Sequence, residues 1–274
     1  MNLWIPGAGW GVIGAAVASA ISFAYGGIAI TVALFRHRTV SPRRCNLKPD
    51  MTILKPCLSI AWPNLLQRVG TSLGYVVFAS MINSLGEVST AAHTLANTVE
   101  SLFYIPGYGM QAATSTLTGN AYGARDKQRM KDLARLIFPL ETVLMIVTGG
   151  LLFLLAPKMM HLFSSNPEVI DLGATVLRMV AVSEPFFGVT IIIEGTMQGV
   201  GDTFTPFILG ISTMWLVRIG GTFITICCLH MGLTSAWACM ILHNLTLFAL
   251  LTARYAGGKW NPLNKPEPQP ETHS

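Results

Sequence analysis

The sequence predicts an all-α integral membrane protein of seven transmembrane helices, and three observations carry that prediction. Hydrophobic residues make up 51% of the chain. Charged residues make up 11%, where soluble domains carry about 25%. The apolar residues, at a mean hydropathy of +0.53 for the whole chain, gather in blocks long enough to cross a bilayer, which takes about 20 residues per helix. A chain of 274 residues divided among such blocks leaves no room for a large soluble domain, so an enzymatic domain outside the membrane is excluded. A membrane β-barrel would show ten-residue alternating strands, and none is present.

The spans follow in order. The first, 8–35, is no secretory signal, because Met1 to Trp4 carry no basic residue and Arg36, His37 and Arg38 lie beyond its far end. The second and third, 57–85 and 89–119, are separated by only a few residues, and Pro106-Gly107 falls inside the third. The fourth, 134–156, is apolar on every face and contains Gly149-Gly150. The fifth, 172–199, is interrupted at Glu184-Pro185, and its Gly195 and Gly199 form a spacing that lets helices approach closely. The sixth, 206–228, contains Gly220-Gly221 and is expected to be capped by Asp202-Thr203, and the seventh is 235–254. Proline within a span frees backbone carbonyls, which is tolerated where the helix faces protein or a water-filled cavity, so Pro106 and Pro185 mark expected helix breaks.

Charge orients these spans. Arg36, Arg38, Arg43, Arg44, Lys48 and Lys55 lie in loop 36–56; Arg125, Lys127, Arg129, Lys131 and Arg135 in loop 120–135; Arg254, Lys259 and Lys265 in the tail. The opposite loops hold only Lys158. By the positive-inside rule the N-terminus is external and the C-terminus cytoplasmic, which also accounts for the net charge of +5 without nucleic acid. The Pro-rich, polar residues 257–274 read as a disordered cytoplasmic tail. Five cysteines, Cys45, Cys57, Cys227, Cys228 and Cys239, show no metal-ligand spacing, and neither a disulfide nor a metal site is expected. Gly199 to Asp202 lacks the Lys-Ser/Thr of a phosphate loop, and His93, His230 and His243 read as polar residues near external helix ends. No catalytic constellation or cofactor motif is present.

The functional signal lies in ionisable residues inside spans, each costing about 2.5–3.5 kcal/mol at mid-bilayer unless it has a partner, water or a task. Glu141 and Arg68 lie close enough to the cytoplasmic side to snorkel, Arg178 can do so outward, and Glu194 sits one to two turns from the inner loop. Glu100, Glu184 and Arg218 remain near the middle. Buried carboxylates suit the exchange of a proton for another cation; alternatively, Glu184 or Glu100 pairs with Arg218 and merely joins helices.

Six stretches resemble the C-terminal half of the multidrug and toxic compound extrusion (MATE) family: Ala91 to His93 with Glu100 to Leu102 and Pro106-Gly107; Gly119 through Ala124; Gly173 through Arg178; Glu184-Pro185; Gly195 through Thr203; and Trp215 through Arg218. The resemblance implies two six-helix lobes related by a repeat. Residues 1–35 then match the last helix of an N-terminal lobe that is otherwise missing, 36–56 the basic cytoplasmic connector, and 57–256 a six-helix C-terminal lobe. Gly11 through Ala18 and Gly232 through Ala238 share Gly and Ala at similar offsets, as corresponding helices of two repeats would.

The implied activity is efflux of small organic cations or drugs across the plasma membrane, coupled to H+ or Na+, with no cofactor besides the coupling ion. Some relatives carry acidic residues at positions that fall near Thr71 and Phe187 here; Gln67 and Glu184 lie about one turn earlier, and Gln67 joins the candidates on that ground. A lipid-linked saccharide flippase of the same superfamily would favour a basic cavity, whereas the mid-span residues here have both signs. A seven-helix receptor fits poorly with external loops that lack cysteine. One lobe alone leaves its cavity face uncovered, so a missing N-terminal lobe or a second copy is expected as partner. The topology is tested by single cysteines at positions 43 and 158 in intact cells: an impermeant thiol reagent is expected to label the cysteine at 158 and spare the one at 43.

Overall fold

The structure is a computed structural model that describes residues 11–36, 50–258 and 260–264. Expectations placed on Arg43, Cys45, residues 37–49 of the connector and the tail beyond Asn264 lie outside the described residues. Eight helices account for nearly all of what is described: α1 (Gly11–Arg36), α2 (Met51–Asn83), α3 (Glu87–Gly123), α4 (Lys127–Phe163), α5 (Pro167–Ala181), α6 (Glu184–Gly199), α7 (Phe204–Cys228) and α8 (Leu233–Ala256). The described residues contain no strand. The chain divides into two compact units, Met1–Lys55 with α1 and Pro56–Ser274 with the bundle described below.

Local chemistry sets the helix ends. Asp50 accepts hydrogen bonds from the Thr52 amide (2.9 Å) and hydroxyl (2.7 Å) at the start of α2, and these bonds hold its carboxyl below the usual carboxylate range. Gly86, at φ +97°, makes the turn between α2 and α3 in a conformation that side chains with a Cβ rarely adopt. Asp126 caps α4 by accepting from the Arg129 amide at 2.9 Å, and Asn166 caps α5 through the Glu168 amide at 3.0 Å, with Pro167 beginning the helix. The expected cap before α7 is supplied by Asp202, which accepts from the Thr205 amide at 3.2 Å and its hydroxyl at 3.0 Å.

By length and composition, five helices can cross a membrane, or six when the bent pair α5 and α6 counts as one span. The sequence reading expected seven. The difference is α3, which at 37 residues is long enough but too polar. Its threonines satisfy themselves locally: the hydroxyls of Thr90, Thr94, Thr98, Thr114 and Thr116 each donate to the carbonyl four residues back. At the expected break in the fifth span, the axes of α5 and α6 differ by 54°, and Pro185 is the second residue of α6. At Pro106 the outcome is different, because α3 runs through it unbroken. A proline can remain within a long helix when the surrounding bundle holds its two halves in line.

Two apolar clusters occupy opposite ends of the bundle. One gathers Phe78 and Ile82 of α2, Val99 of α3, Leu152 and Met160 of α4, Leu177 of α5, Met214 of α7 and Trp237 of α8. The other gathers Ala121, Met130, Ile193, Met197, Leu247 and Leu251. Trp260 belongs to this second cluster, stacking on Tyr255 at 4.9 Å and donating its indole N–H to the Tyr255 carbonyl at 2.9 Å. The tail is therefore ordered further than its polar composition suggested, because one buried indole anchors it as far as the short turn Pro262–Asn264.

Helices α3 and α6 pack backbone to backbone through the small residues singled out in the sequence. A Cβ on Gly199 would lie 2.6 Å from the Ser115 carbonyl oxygen, and one on Gly195 would lie 2.7 Å from that of Gln111. Gly199→Ala is therefore expected to lower stability by about 1–3 kcal/mol, because backbone has to move. Gly150→Ala, with nothing within 4 Å of the new Cβ, should be neutral or slightly stabilising. Thermal unfolding of the purified protein in detergent checks both.

Candidate functional site

Between the two apolar clusters lies a polar layer, and in it a cavity of about 60 Å³. Helix α3 lines it with Asn97, Glu100, Tyr104 and Tyr108, residues three or four apart and so on one face. The first turn of α6 adds Glu184 and Phe187, α7 adds Arg218, α8 adds Met240 and Asn244, and α2 adds Tyr75. Three of the residues expected to act, Glu100, Glu184 and Arg218, thus meet in one place although they come from separate helices. Tyr104, Tyr108 and Phe187 form an edge-to-face trio at its side, with ring centroids 5.5–6.2 Å apart.

Arg218 is only 4% exposed, and its guanidinium lies 4.3 Å over the ring of Phe78 and 4.9 Å over that of Tyr75. Cation–π attraction strengthens when the cation is desolvated, so these rings hold the charge at this depth. No ion pair within 4 Å joins Arg218 to Glu100 or Glu184, so the direct pair considered from sequence does not form, and the guanidinium lies over the two rings instead. Arg218 also lies within a stretch of wide turns, Met214–Ile219, where the helix takes on π geometry. Such turns occur mostly as single insertions into α-helices and concentrate at functional sites.

The break between α5 and α6 sets the position of Glu184. It is the first residue of α6, where the helix dipole favours negative charge, and its Oε2 is buried without a hydrogen-bond partner. Gly149 makes room for this arrangement: a Cβ there would lie 2.9 Å from the Ala181 carbonyl oxygen and 3.1 Å from the Glu184 Cβ.

Gln67 does not reach the cavity. It packs near Gly210 of α7, eight residues before Tyr75 and so about 12 Å away along α2. Thr71 is also absent from the lining, and Pro106 is exposed. Glu141 departs furthest from expectation. It does not snorkel but is wholly buried, with neither carboxylate oxygen hydrogen-bonded, and its Oε1 would lie 2.8 Å from a Cβ on Gly107 and 3.3 Å from one on Gly188. The buried stripe of α4 runs through Ile137, Glu141, Met145 and Gly149, and this i, i+4 register carries Glu141 inward.

Glu194 accepts from the Gln111 side chain at 3.4 Å, whereas Arg68 and Arg178 are exposed. His243 is buried well inside α8 and so is not a helix-end residue, whereas His93, in the second turn of α3, packs edge-on against Phe78 and Trp237. Asn97, Asn244 and the three tyrosines were not singled out from sequence. The 97, 100, 104, 108 spacing on α3 is the signal that could have found four of the lining residues. Among the described residues, no group of three or more His, Cys, Asp or Glu side chains could hold a metal ion.

A double-mutant cycle on Phe78→Leu and Arg218→Gln, read by unfolding in detergent, is expected to give a coupling energy of about 0.5–2 kcal/mol. Zero coupling would mean that the ring does not hold the guanidinium.

The MatE family model matches residues 63–224. The "Probable multidrug resistance protein NorM" of Thermotoga maritima is 26% identical over 250 residues, covering 91% of this chain and 54% of the relative. The "Probable multidrug resistance protein YoeA" of Bacillus subtilis is 25% identical over 178 residues, covering 65% of this chain and 38% of the relative. Among solved structures, a MOP superfamily transporter from Pyrococcus furiosus superposes with a TM-score of 0.82 at 23% identity, covering 94% of this chain and 58% of that one. A MATE crystal structure in the straight conformation superposes with a TM-score of 0.78 at 25% identity, covering 92% and 57%. The chain spans about half or less of the length of these curated relatives.

Proposed function

The chain belongs to the MatE family, and from that membership together with its mid-bundle cavity we propose that it serves in cation-coupled efflux of small organic cations or drugs. Family membership makes it a multi-pass membrane protein of a transporter family and not an enzyme. The finer reading is our own: residues 57–256 act as one six-helix lobe with α3 among its spans, 36–56 form a cytoplasmic connector, the N-terminus is external and the C-terminus cytoplasmic. The distribution of Lys and Arg supports this orientation.

The observation that carries the proposal is the meeting of two carboxylates and one guanidinium in a single small cavity. With all three ionised the site has one negative charge in excess, so one cation neutralises it. A cavity of about 60 Å³ has room for about two waters, far from the 300 Å³ or more of a drug pocket. It therefore suits the coupling ion, H+ or Na+, and the organic cargo binds elsewhere, in the larger space between this lobe and a second one. Ion and cargo then compete for the same excess charge: arrival of the ion at Glu100 and Glu184 removes the attraction for the cargo, and its loss restores it. Arg218 keeps the excess to one charge and so keeps the exchange near one for one. A saccharide flippase would call for a basic cavity, and here the acids outnumber the guanidinium.

Glu184→Gln and Glu100→Gln are each expected to reduce coupled export at least about tenfold while leaving the protein in the membrane, because a lost charge need not alter packing volume. Export is measured in vesicles containing this chain with its second lobe or copy, under a proton gradient and separately under a sodium gradient. Normal export by both variants would overturn the coupling role, and loss of folded protein would assign the acids to helix packing. Cross-linking in the same vesicles reports the pairing, and robust export by a demonstrated monomer would overturn the need for a second lobe.

A further inference from the structure

At the bundle end where α4 begins and α8 finishes, a second and larger cavity, of about 560 Å³, opens to the surface. It is remote in kind from the coupling cavity, since its charged lining is basic throughout. One wall is the face of α4 that carries Lys127, Lys131 and Arg135, spaced i, i+4, i+8, so that three cations follow one another at about 6 Å intervals. The opposite wall is Tyr255 with Trp260, stacked at 4.9 Å and 13° and fixed by the indole hydrogen bond to the Tyr255 carbonyl. Met130, buried, forms the apolar floor.

The acids nearby do not neutralise this wall. Asp126 is engaged as the cap of α4. Asp132 approaches Arg135 at 3.8 Å, but with both side chains more than half exposed the contact is solvated and weak. Topology alone asks for basic residues on the cytoplasmic side. It does not ask for a fixed aromatic pair facing them across a cleft. Amphipathic rings at a helix end settle at headgroup level, where a basic cleft between spans meets lipid phosphates.

We propose that the cleft between Lys127, Lys131 and Arg135 of α4 and the Tyr255–Trp260 pair holds the phosphate of an anionic phospholipid headgroup. The lipid's glycerol and upper acyl carbons then lie along Met130 and the two rings, and its phosphate faces the three cations. Because lipid bound there touches both α4 and the segment after α8, it ties the C-terminal segment to the bundle.

The test is native mass spectrometry of the full chain in detergent, with phosphatidylglycerol and phosphatidylcholine supplied in equal amounts. Preferential retention of phosphatidylglycerol, by at least about tenfold, is expected in the unaltered chain. The triple variant K127A/K131A/R135A should lose that preference, K127R/K131R should keep it, and Trp260→Ala should weaken retention. High salt should abolish the preference in the unaltered chain through screening, a reading that stands even if the triple variant fails to fold. Unchanged preference in the triple variant, or in high salt, would overturn the proposal. Displacement of the lipid by millimolar inorganic phosphate would assign the cleft to free phosphate and overturn the lipid assignment. The outcome is independent of which way the protein crosses the membrane and of whether it exports anything, so failure here leaves the transport reading untouched.

Discussion

Ionisable side chains set halfway along an apolar helix bundle must be accommodated by the bundle itself, and much of this architecture follows from that constraint. Arg218 is buried far from bulk water, so the rings of Phe78 and Tyr75 do part of the work of solvating it. Glu184 needs an environment that tolerates charge, and the bend between α5 and α6 offers it a helix start. That bend needs α4 to pass close by, which only a residue as small as Gly149 allows. The apolar clusters are accordingly displaced to the two ends, leaving a polar layer in the middle.

Glu141 shows the same constraint met differently. It belongs to the polar layer but not to the cavity, and its carboxylate is enclosed by Gly107, Gly188 and Met145. The two glycines leave space for a head group that larger residues would exclude.

The spans were legible because an apolar block of sufficient length has few other uses, and the start of α7 because Asp202 announces it; the caps Asp126 and Asn166 begin α4 and α5 several residues before the apolar blocks at 134 and 172. The bend at Glu184-Pro185 was legible because a proline interrupts the fifth span there. Facing was harder to read. A helix such as α4 is apolar around its circumference, so the contrast that marks an inward face in soluble proteins is missing, and Glu141 was misjudged from its depth alone. The small residues in register with it, Gly149 and Ala156, were the better guide. Pro106 misled in the other direction: a proline lowers helix propensity, but tertiary packing decides whether the helix ends. Nor does the composition of the tail hint at order, since a single indole, Trp260, outweighs its polar neighbours.

The wide turns of α7 have a consequence for how this sequence can change with time. A stretch such as Met214–Ile219 accommodates one residue more than a regular helix of the same height. Loss of a single codon before Arg218 within that stretch would let the helix relax to ordinary pitch without shortening it, an event stability alone would not oppose. Side chains beyond the wide turn would keep their facing, yet those within it and after the deletion, Arg218 among them, would be re-aimed by as much as about 100°. Arg218 would leave the two rings, and the cavity would be left with its carboxylates alone. Over this segment, insertions and deletions are therefore more disruptive than most substitutions, so its length in residues, and not only its composition, is under constraint.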